Sequence, residues 1–472
     1  MIPVPICIYQ GRSMRRLLLC LCVLSLGVAA REVVNDVTGL NPVAVERVIV
    51  PRSEQDVVDA LRNHAGPVSI GGGRYSMGGQ TATDGALQLD MRGLDQVLAF
   101  SAERREIRVQ SGITWRALLE YIDPYDLSPQ VMQSYANFTV GGSLSVNVHG
   151  RYVGEGPIAG SVRAIRVVLA DGSVVDASPT HNSALFQGAI GGYGGLGVIV
   201  EATLGLVENT RIARESQVMT LQEYRPWFYR EVASQADLVM HNGILYPDDF
   251  STVRAVSYRR TDAALTEVER LIPRQQGSHL QRAGIRLSGS PSGIKLRETT
   301  LDPLLFRSPK VQWRNREASL DVSELEPISG PGFSYVLQEY FVPPAQLERF
   351  IGELGRLTHQ HRATLINVSI RHAKADPDTL LSWAPEEVFA LVLYYRQGSS
   401  DSERQKAAAW TRDLIAAALR CGGRHYLPYQ IHASREQFLQ AYPRAPEYFV
   451  LKRQLDPTYK FRNRLWDAYY PL

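Results

Sequence analysis

Cysteine is scarce and badly placed for cross-linking. Of four, Cys7, Cys20 and Cys22 sit near the N-terminus, which leaves Cys421 alone in the rest of the chain. A single thiol cannot close an internal disulfide. No Cys/His spacing of the structural-zinc kind occurs either, so no metal site is expected and the fold has to stand on its apolar core and on any ligand it holds. Excess charge of one sign is also missing. Lys and Arg number 51 against 48 Asp and Glu, and Arg12, Arg15 and Arg16 account for the difference, so a chain starting near residue 31 is balanced. Bulk attraction to nucleic acid is therefore not expected. The one apolar run without a charge that stands out, Leu17–Ala30, is short of the about 20 residues a membrane helix needs. With 44% hydrophobic and 21% charged residues in 472, the composition excludes wholesale disorder, and the length asks for two or three domains.

The run Leu17–Ala30 follows three arginines and ends with Val28 and Ala30, small residues where a signal peptidase would read them. Residues 1–30 thus read as a cleaved signal peptide, with an uncleaved anchor or a buried helix as alternatives, and the mature protein is expected in the bacterial periplasm. Initiation at Met14 would place Met-Arg-Arg directly before the run. Arg15-Arg16 loosely resembles a twin-arginine signal, which serves proteins exported already folded around a cofactor.

From Val43 to Asp90 short β-branched runs (Val43–Val50, Pro67–Ile70, Leu87–Asp90) surround one helical stretch, Ser53 to about His64, in a β-α-β-β order. Ser53 reads as its N-cap with Asp56 three residues on, and Val57, Val58 and Leu61 form its buried stripe. A strand over Ile107–Ile113 and a helix over Trp115–Ile122 follow. Two further strands, Ser161–Leu169 and Gly197–Gly205, come after the glycine-rich stretch 141–150, and Ala170-Asp-Gly-Ser173 between them signals a hairpin. Beyond about residue 208 the glycine density falls and a different unit begins. It reads as strands at Leu238–Tyr246, Tyr335–Val342, Leu365–Arg371 and Val388–Tyr395, with helices at Asp262–Leu271, over Leu347, Phe350, Ile351, Leu354 and Leu357, and at about Ser402–Arg420. Within it, 287–317 reads as a solvated loop carrying Lys295, Arg297, Phe306, Arg307, Lys310, Trp313, Arg314 and Arg316; a mobile lid or a membrane-surface contact through 295–316 are the alternatives.

Three glycine-rich segments carry the chemistry: Gly71-Gly-Gly-Arg-Tyr-Ser-Met-Gly-Gly79 directly after a strand, Thr139-Val-Gly-Gly-Ser-Leu-Ser-Val-Asn-Val-His-Gly150, and Gly188-Ala-Ile-Gly-Gly-Tyr-Gly-Gly-Leu-Gly197. Glycines let the backbone approach a ligand and turn several N–H groups toward an anion. The first is neither a Walker loop, lacking a closing Gly-Lys-Ser/Thr, nor a Rossmann fingerprint.

In order, spacing and character these segments resemble the FAD-binding domain of the vanillyl-alcohol-oxidase type. The C-terminal Tyr442-Pro and Leu455-Asp-Pro-Thr-Tyr-Lys-Phe-Arg-Asn463 resemble the closing segment of sugar-lactone and polyol oxidases, and Gly142–Gly150 with Pro157–Val162 also resembles decaprenylphosphoryl-ribose oxidases. The resemblance implies an α+β fold: a two-subdomain FAD-binding domain (31–208), an α+β cap or substrate domain (209–430), and a segment (431–472) returning to the FAD domain. It implies that Gly71, Gly72, Gly73, Arg74, Tyr75 and Ser76 cradle the FAD pyrophosphate with Gly79 and Gln80 beside them. Thr139, Gly141, Gly142, Ser145, His149, Gly150 and Ile199 would wrap the rest, with Asn463 in the returning segment.

Two departures from that pattern matter. Relatives with covalent flavin carry His-Ser where this chain has Tyr75-Ser76, so FAD is expected to be non-covalent. Sugar-lactone and polyol oxidases carry Glu-x-Arg on a cap strand, whereas Val368-Ser-Ile-Arg371 keeps Arg371 and puts Ser369 in the glutamate's place; Tyr429 stands where they have a lysine. Arg371 would stabilise negative charge on the reduced ring. Tyr429, His425, Tyr340 and His432 are the candidates for accepting a hydroxyl proton. Val148, where a small residue admits oxygen in relatives, favours a quinone-like carrier over oxygen as electron acceptor. The expected activity is FAD-dependent oxidation of a CH–OH group on a sugar, polyol or lactone. Flavin-dependent reduction of a double bond, or binding of flavin or sugar without catalysis, are the other readings.

Overall fold

The computed structural model describes residues 31–247, 249–274, 287–322, 330 and 332–471. The expected export segment and its three cysteines lie outside the described residues. The first sheet is parallel: β1 (Arg47–Ile49), then α1 (Glu54–Asn63), β2 (Val68–Gly71) and β3 (Leu87–Asp90), in the order β1-β3-β2. Helix α1 starts where expected, because the Ser53 hydroxyl accepts from the Asp56 N–H while the Asp56 carboxylate accepts from the Ser53 N–H. Its Val57, Val58 and Leu61 pack on Val68, Leu87 and Leu89.

A second, antiparallel sheet is built from β4 (Val97–Ser101), β5 (Glu106–Gln110), β6 (Leu127–Pro129), β7 (Val162–Val168), β8 (Val174–Ala177) and β9 (Val198–Glu208). Its order is β8-β7-β9-β5-β4, with β6 against the far end of β9. The Asp171-Gly172 turn joins β7 to β8, a short strand that the sequence reading did not separate, before the chain returns through β9 on the other side of β7. Helices α2 (Trp115–Ile122) and α3 (Val140–Ser145) bury Trp115, Leu118, Leu119, Ile122, Val140 and Leu144 in one core with this sheet.

The third sheet begins three residues after β9 ends. Its strands are β10 (Arg211–Thr220), β11 (Leu238–Leu245), β12 (Thr252–Arg260), β13 (Lys310–Trp313), β14 (Phe333–Val342), β15 (Thr364–Ala373), β16 (Val388–Gly398) and β17 (Arg424–His425). Among the described residues their order is β13-β10-β12-β11-β15-β16-β14-β17, antiparallel throughout. Helices α4 (Leu347–His361) and α5 (Asp401–Arg420) cover one face. Phe350, Ile351 and Leu354 of α4, with Trp410, Leu414 and Ile415 of α5, bury against Val336, Val342, Leu391 and Leu393. Because side chains alternate along a strand, the intervening positions of β14 and β16 face away from these helices.

Two local expectations are corrected. Asp262–Leu271 is not helical. The N–H groups of Thr266 and Glu267 both donate to the Val311 carbonyl, and Arg270 lies over the Trp313 ring while pairing with Asp123 and Asp126, so this stretch is held in extended contacts along β13. The segment 287–317 is not a solvated loop either. It forms helices Pro291–Leu296 and Asp302–Arg307, strand β13 and helix Arg314–Ala318, with Arg297 and Arg314 buried. Arg297 donates to the Ile366 carbonyl and Asn367 Oδ1, and Arg314 donates to Ser128 Oγ and to the carbonyls of Pro129 and Gln130. Buried cations persist only when so paired. Outward on this segment are Lys295, ion-paired to Glu298, and the exposed Arg307, Leu304 and Leu305. No described helix is long and apolar enough to cross a membrane.

The C-terminal α6 (Ala445–Leu455) leads the chain back to the first sheet. Phe461 forms a parallel bridge to Val68, whose N–H donates to the Lys460 carbonyl and whose carbonyl accepts from the Arg462 N–H.

Candidate active site

The glycine loop leaves β2 at Gly71 and meets the start of α3 face to face. A Cβ on Gly72 would stand 2.2 Å from Thr139 Oγ1, so only a residue without one allows the approach. Thr139 also caps α3, accepting from the Gly142 N–H at 3.3 Å. Between these segments runs a narrow cavity lined by Gly72, Ser76, Thr139, Gly141, Gly142 and Ser145, continuing to Gly194 and Ile199. It shares Gly72, Ser76, Thr139, Gly142 and Val146 with a larger one that opens under the third sheet.

The larger cavity has the third sheet's uncovered face as one wall. Tyr335, Leu337 and Glu339 come from β14, Val392 and Tyr394 from β16, and Arg371 from β15. The opposite wall holds Tyr75, Phe138, Val148 and His149, and Tyr426 and Tyr429 close one end. Tyr75 stacks on Phe138 with ring centroids 4.3 Å apart. His149 Nε2 is hydrogen-bonded to Glu339 Oε1 at 2.5 Å, and the Tyr429 hydroxyl lies 3.4 Å from Glu339 Oε2. Burial lowers the Arg371 guanidinium's pKa, opposed by the charge of Glu339, while burial and then Glu339 raise the Tyr429 phenol well above its usual value.

A two-part passage of this kind asks for a long, polar, partly planar ligand. Ser111 Oγ on the narrow part, and Ser134 Oγ and Arg371 Nε on the wide part, are buried without a partner among the described residues, as expected where ligand atoms complete the bonding. Residues 45–178 match the family model of an FAD binding domain. Over that span the chain is similar to the FAD-linked oxidases of the vanillyl-alcohol-oxidase type. It is similar to mouse (Mus musculus) L-gulonolactone oxidase, at 23% identity over 87% of this chain and 91% of the relative. A mitochondrial L-galactono-1,4-lactone dehydrogenase of Brassica oleracea is 33% identical over 28% of this chain and 22% of its own length. Cytokinin dehydrogenase 9 of Oryza sativa subsp. japonica is 28% identical over 41% and 38%. This chain is an FAD-dependent oxidoreductase.

In this FAD-dependent oxidoreductase the expected cofactor residues divide. Gly72, Gly73, Arg74, Tyr75, Ser76, Thr139, Gly141, Gly142, Ser145, His149, Gln80 and Ile199 all line the passage. Arg74 turns its guanidinium to Asp90 at 3.1 Å, and Gln80 spends its amide on the Leu427 and Tyr429 carbonyls, so both brace the walls. Gly71, Gly79, Gly150 and Asn463 stand behind the lining. Gly79 takes a positive φ of 76° beneath Arg464, Gly150 packs on Met132 and Tyr152, and Asn463 caps the helix Arg464–Tyr469 while donating to the Tyr193 carbonyl.

Of the proton-acceptor candidates, only Tyr429 reaches the cavity together with Arg371. Tyr340 is corrected by strand parity: it follows Glu339 and therefore points to α4, where its hydroxyl donates to Gln338 Oε1 and its ring meets Phe350. His425 is buried outside the cavity against Tyr442, and burial alone brings its pKa down to about 4. His432 is bonded to Gln430 Oε1 outside the lining. Glu339 is the cavity residue that the sequence reading missed; the alternation Tyr335, Leu337, Glu339 against Val336, Gln338, Tyr340 is the signal that finds it.

The close approach at Gly72 yields a direct expectation. Gly72→Ala should lose about 1–3 kcal/mol at this contact, weakening FAD retention by about 5–150-fold. The flavin-to-protein absorbance ratio after gel filtration measures it, and a ratio equal to wild type would mean the two loops separate freely.

Proposed function

We propose that the protein oxidises a CH–OH group of a sugar lactone or polyol, with FAD held non-covalently. The observation that carries this reading is Arg371, aimed from β15 into a cavity continuous with the glycine-lined passage. Bound FAD supplies the two-electron acceptor for hydride. The loops at Gly72–Ser76 and Thr139–Ser145 hold it through backbone groups, and Arg371 brings a permanent positive charge to the place where negative charge develops. Ser134 and the Tyr429 hydroxyl offer polar contacts to a hydroxylated substrate. Tyr75 lies against Phe138 and has no imidazole to form a histidyl link. The lactone class takes support from the relatives that are named for lactones and match along nearly their full length.

In the finer architecture, the first two sheets are the two subdomains of the FAD domain (31–208), the third sheet with α4 and α5 is the substrate cap (209–430), and 431–472 is the returning segment. Val148 fills the space beside His149 and favours a quinone-like carrier over oxygen as acceptor. Residues 1–30 would direct the protein to the periplasm, which N-terminal sequencing of the fractionated protein checks. Arg297 and Arg314 lie inside, so a membrane contact would rest on Leu304, Leu305, Lys295 and Arg307; co-sedimentation with anionic vesicles tests it.

One experiment tests cofactor, linkage and substrate together. Acid precipitation of the yellow holoprotein should release all flavin to the supernatant, and anaerobic addition of L-gulonolactone or L-galactono-1,4-lactone should bleach it. Colour in the pellet would refute the non-covalent assignment. No bleaching by either lactone would refute the substrate class. Re-oxidation faster with oxygen than with a quinone analogue would reverse the acceptor assignment.

A further inference from the structure

The sequence Val368-Ser-Ile-Arg371 brings an arginine to the cavity without a carboxylate beside it. The sheet supplies one from elsewhere. Ser369 pairs with Val392, and Val392 pairs with Glu339, so the three lie in one row across β15, β16 and β14. Two strand spacings, roughly 10 Å, separate the serine from the glutamate. Glu339 therefore shares the cavity with Arg371, and its burial is nearly complete, with 4% of the residue exposed.

A buried carboxylate is tolerated only with partners, and these are unevenly distributed here. Oε1 is held by His149 Nε2 at 2.5 Å, whereas Oε2 has the Tyr429 hydroxyl at 3.4 Å, a long contact that leaves room for a shorter one. The ring of His149 is itself fixed, with Nδ1 3.3 Å from the Gly150 carbonyl and a ring contact to Trp383 at 4.8 Å. Tyr429 cannot be the acceptor, because its phenol is held protonated by burial and by Glu339. His149 cannot, because its Nε2 is committed to Glu339.

We propose that Glu339 is the general base of the alcohol oxidation, taking the hydroxyl proton of the substrate at Oε2. This rests on the CH–OH reading given above. As the carbinol C–H pair leaves as hydride for the flavin, the O–H bond breaks, the C=O bond forms, and the proton goes to Glu339. His149 positions the carboxylate through Oε1, and Arg371 reaches the same cavity from β15, within electrostatic range of it. The other titratable groups facing it are Tyr426 and Tyr429, with Tyr193 and Tyr442 behind them.

The test compares wild type, Glu339→Gln and Glu339→Asp holoproteins in two measurements. The first is the limiting rate of anaerobic flavin reduction by L-gulonolactone, with the lactone Kd from the same titration. Glu339→Gln, which keeps the His149 contact, should lower the limiting rate by about 10²–10⁴-fold with Kd little changed, and Glu339→Asp should recover part of it. An unchanged limiting rate, or a loss confined to Kd, would overturn the proposal while leaving the lactone reading intact. The second needs no substrate: the visible flavin spectrum is titrated with pH, and a transition present in wild type and absent in Glu339→Gln places an ionising carboxylate beside the flavin. If neither lactone reduces wild type, the lactone reading fails and the titration alone decides, identical curves in wild type and Glu339→Gln overturning the proposal.

Discussion

Replacing Arg371 by alanine is expected to slow flavin reduction by a lactone about 10²–10³-fold while the protein keeps its FAD. The argument is geometric and electrostatic. The side chain leaves the uncovered face of β15, its Nε is buried without a partner among the described residues, and the charge acting on it from them is chiefly that of Glu339. A guanidinium paid for by desolvation and left without a direct ion pair has its remaining donors available to the ligand. Arg371→Lys should recover little, because an ammonium cannot present the same planar fork. Stopped-flow reduction under anaerobic conditions measures both variants. A rate within threefold of wild type for Arg371→Ala would remove the residue from the chemistry.

The second large effect is on stability. Lys452 of α6 is wholly buried, and its ammonium donates to the Gly195 carbonyl at 2.7 Å, Asp456 Oδ2 at 2.9 Å and the Phe461 carbonyl at 3.0 Å. All three donor positions are used, which is what makes the burial tolerable. Lys452→Met leaves the equally buried Asp456 charge with only the N–H groups of Lys460 and Phe461, and is expected to cost about 3–5 kcal/mol. Thermal unfolding followed by flavin release should drop by several degrees, and Lys452→Met/Asp456→Asn should restore part of it. A single variant as stable as wild type would mean that the ammonium is replaceable by packing alone.

Much of this molecule is legible in its residues wherever the signal is local. Ser53 and Asp56 announce the start of α1, and the spacing of Leu347, Phe350, Ile351, Leu354 and Leu357 gives the buried stripe of α4. The glycine loops are visible for the same reason, since a close approach of backbone demands glycine at defined positions. What escapes is set by partners distant in sequence. Nothing near Glu339 says that β16 will lie between β14 and β15, so the carboxylate row across Ser369, Val392 and Glu339 emerges only with the register. Tyr340 looked attractive as a buried phenol, but strand parity assigns it to the helix side. Arg297 and Arg314 resemble parts of a solvated stretch until Asn367, Ile366 and Ser128, contributed by other strands, are seen to accept from them.

The bridge between Val68 and Phe461 imposes an order in time. The strand that launches the first glycine loop is completed by residues made much later: Ser69 Oγ donates to the Arg462 carbonyl across 393 positions of chain. At about 5–20 residues per second on the ribosome, that separation is roughly 20–80 seconds of synthesis. Throughout that interval the edge of β2 stands open, with its N–H and carbonyl unpaired. The first glycine loop gains this support only after that interval, and until then the growing polypeptide exposes a strand edge open to pairing.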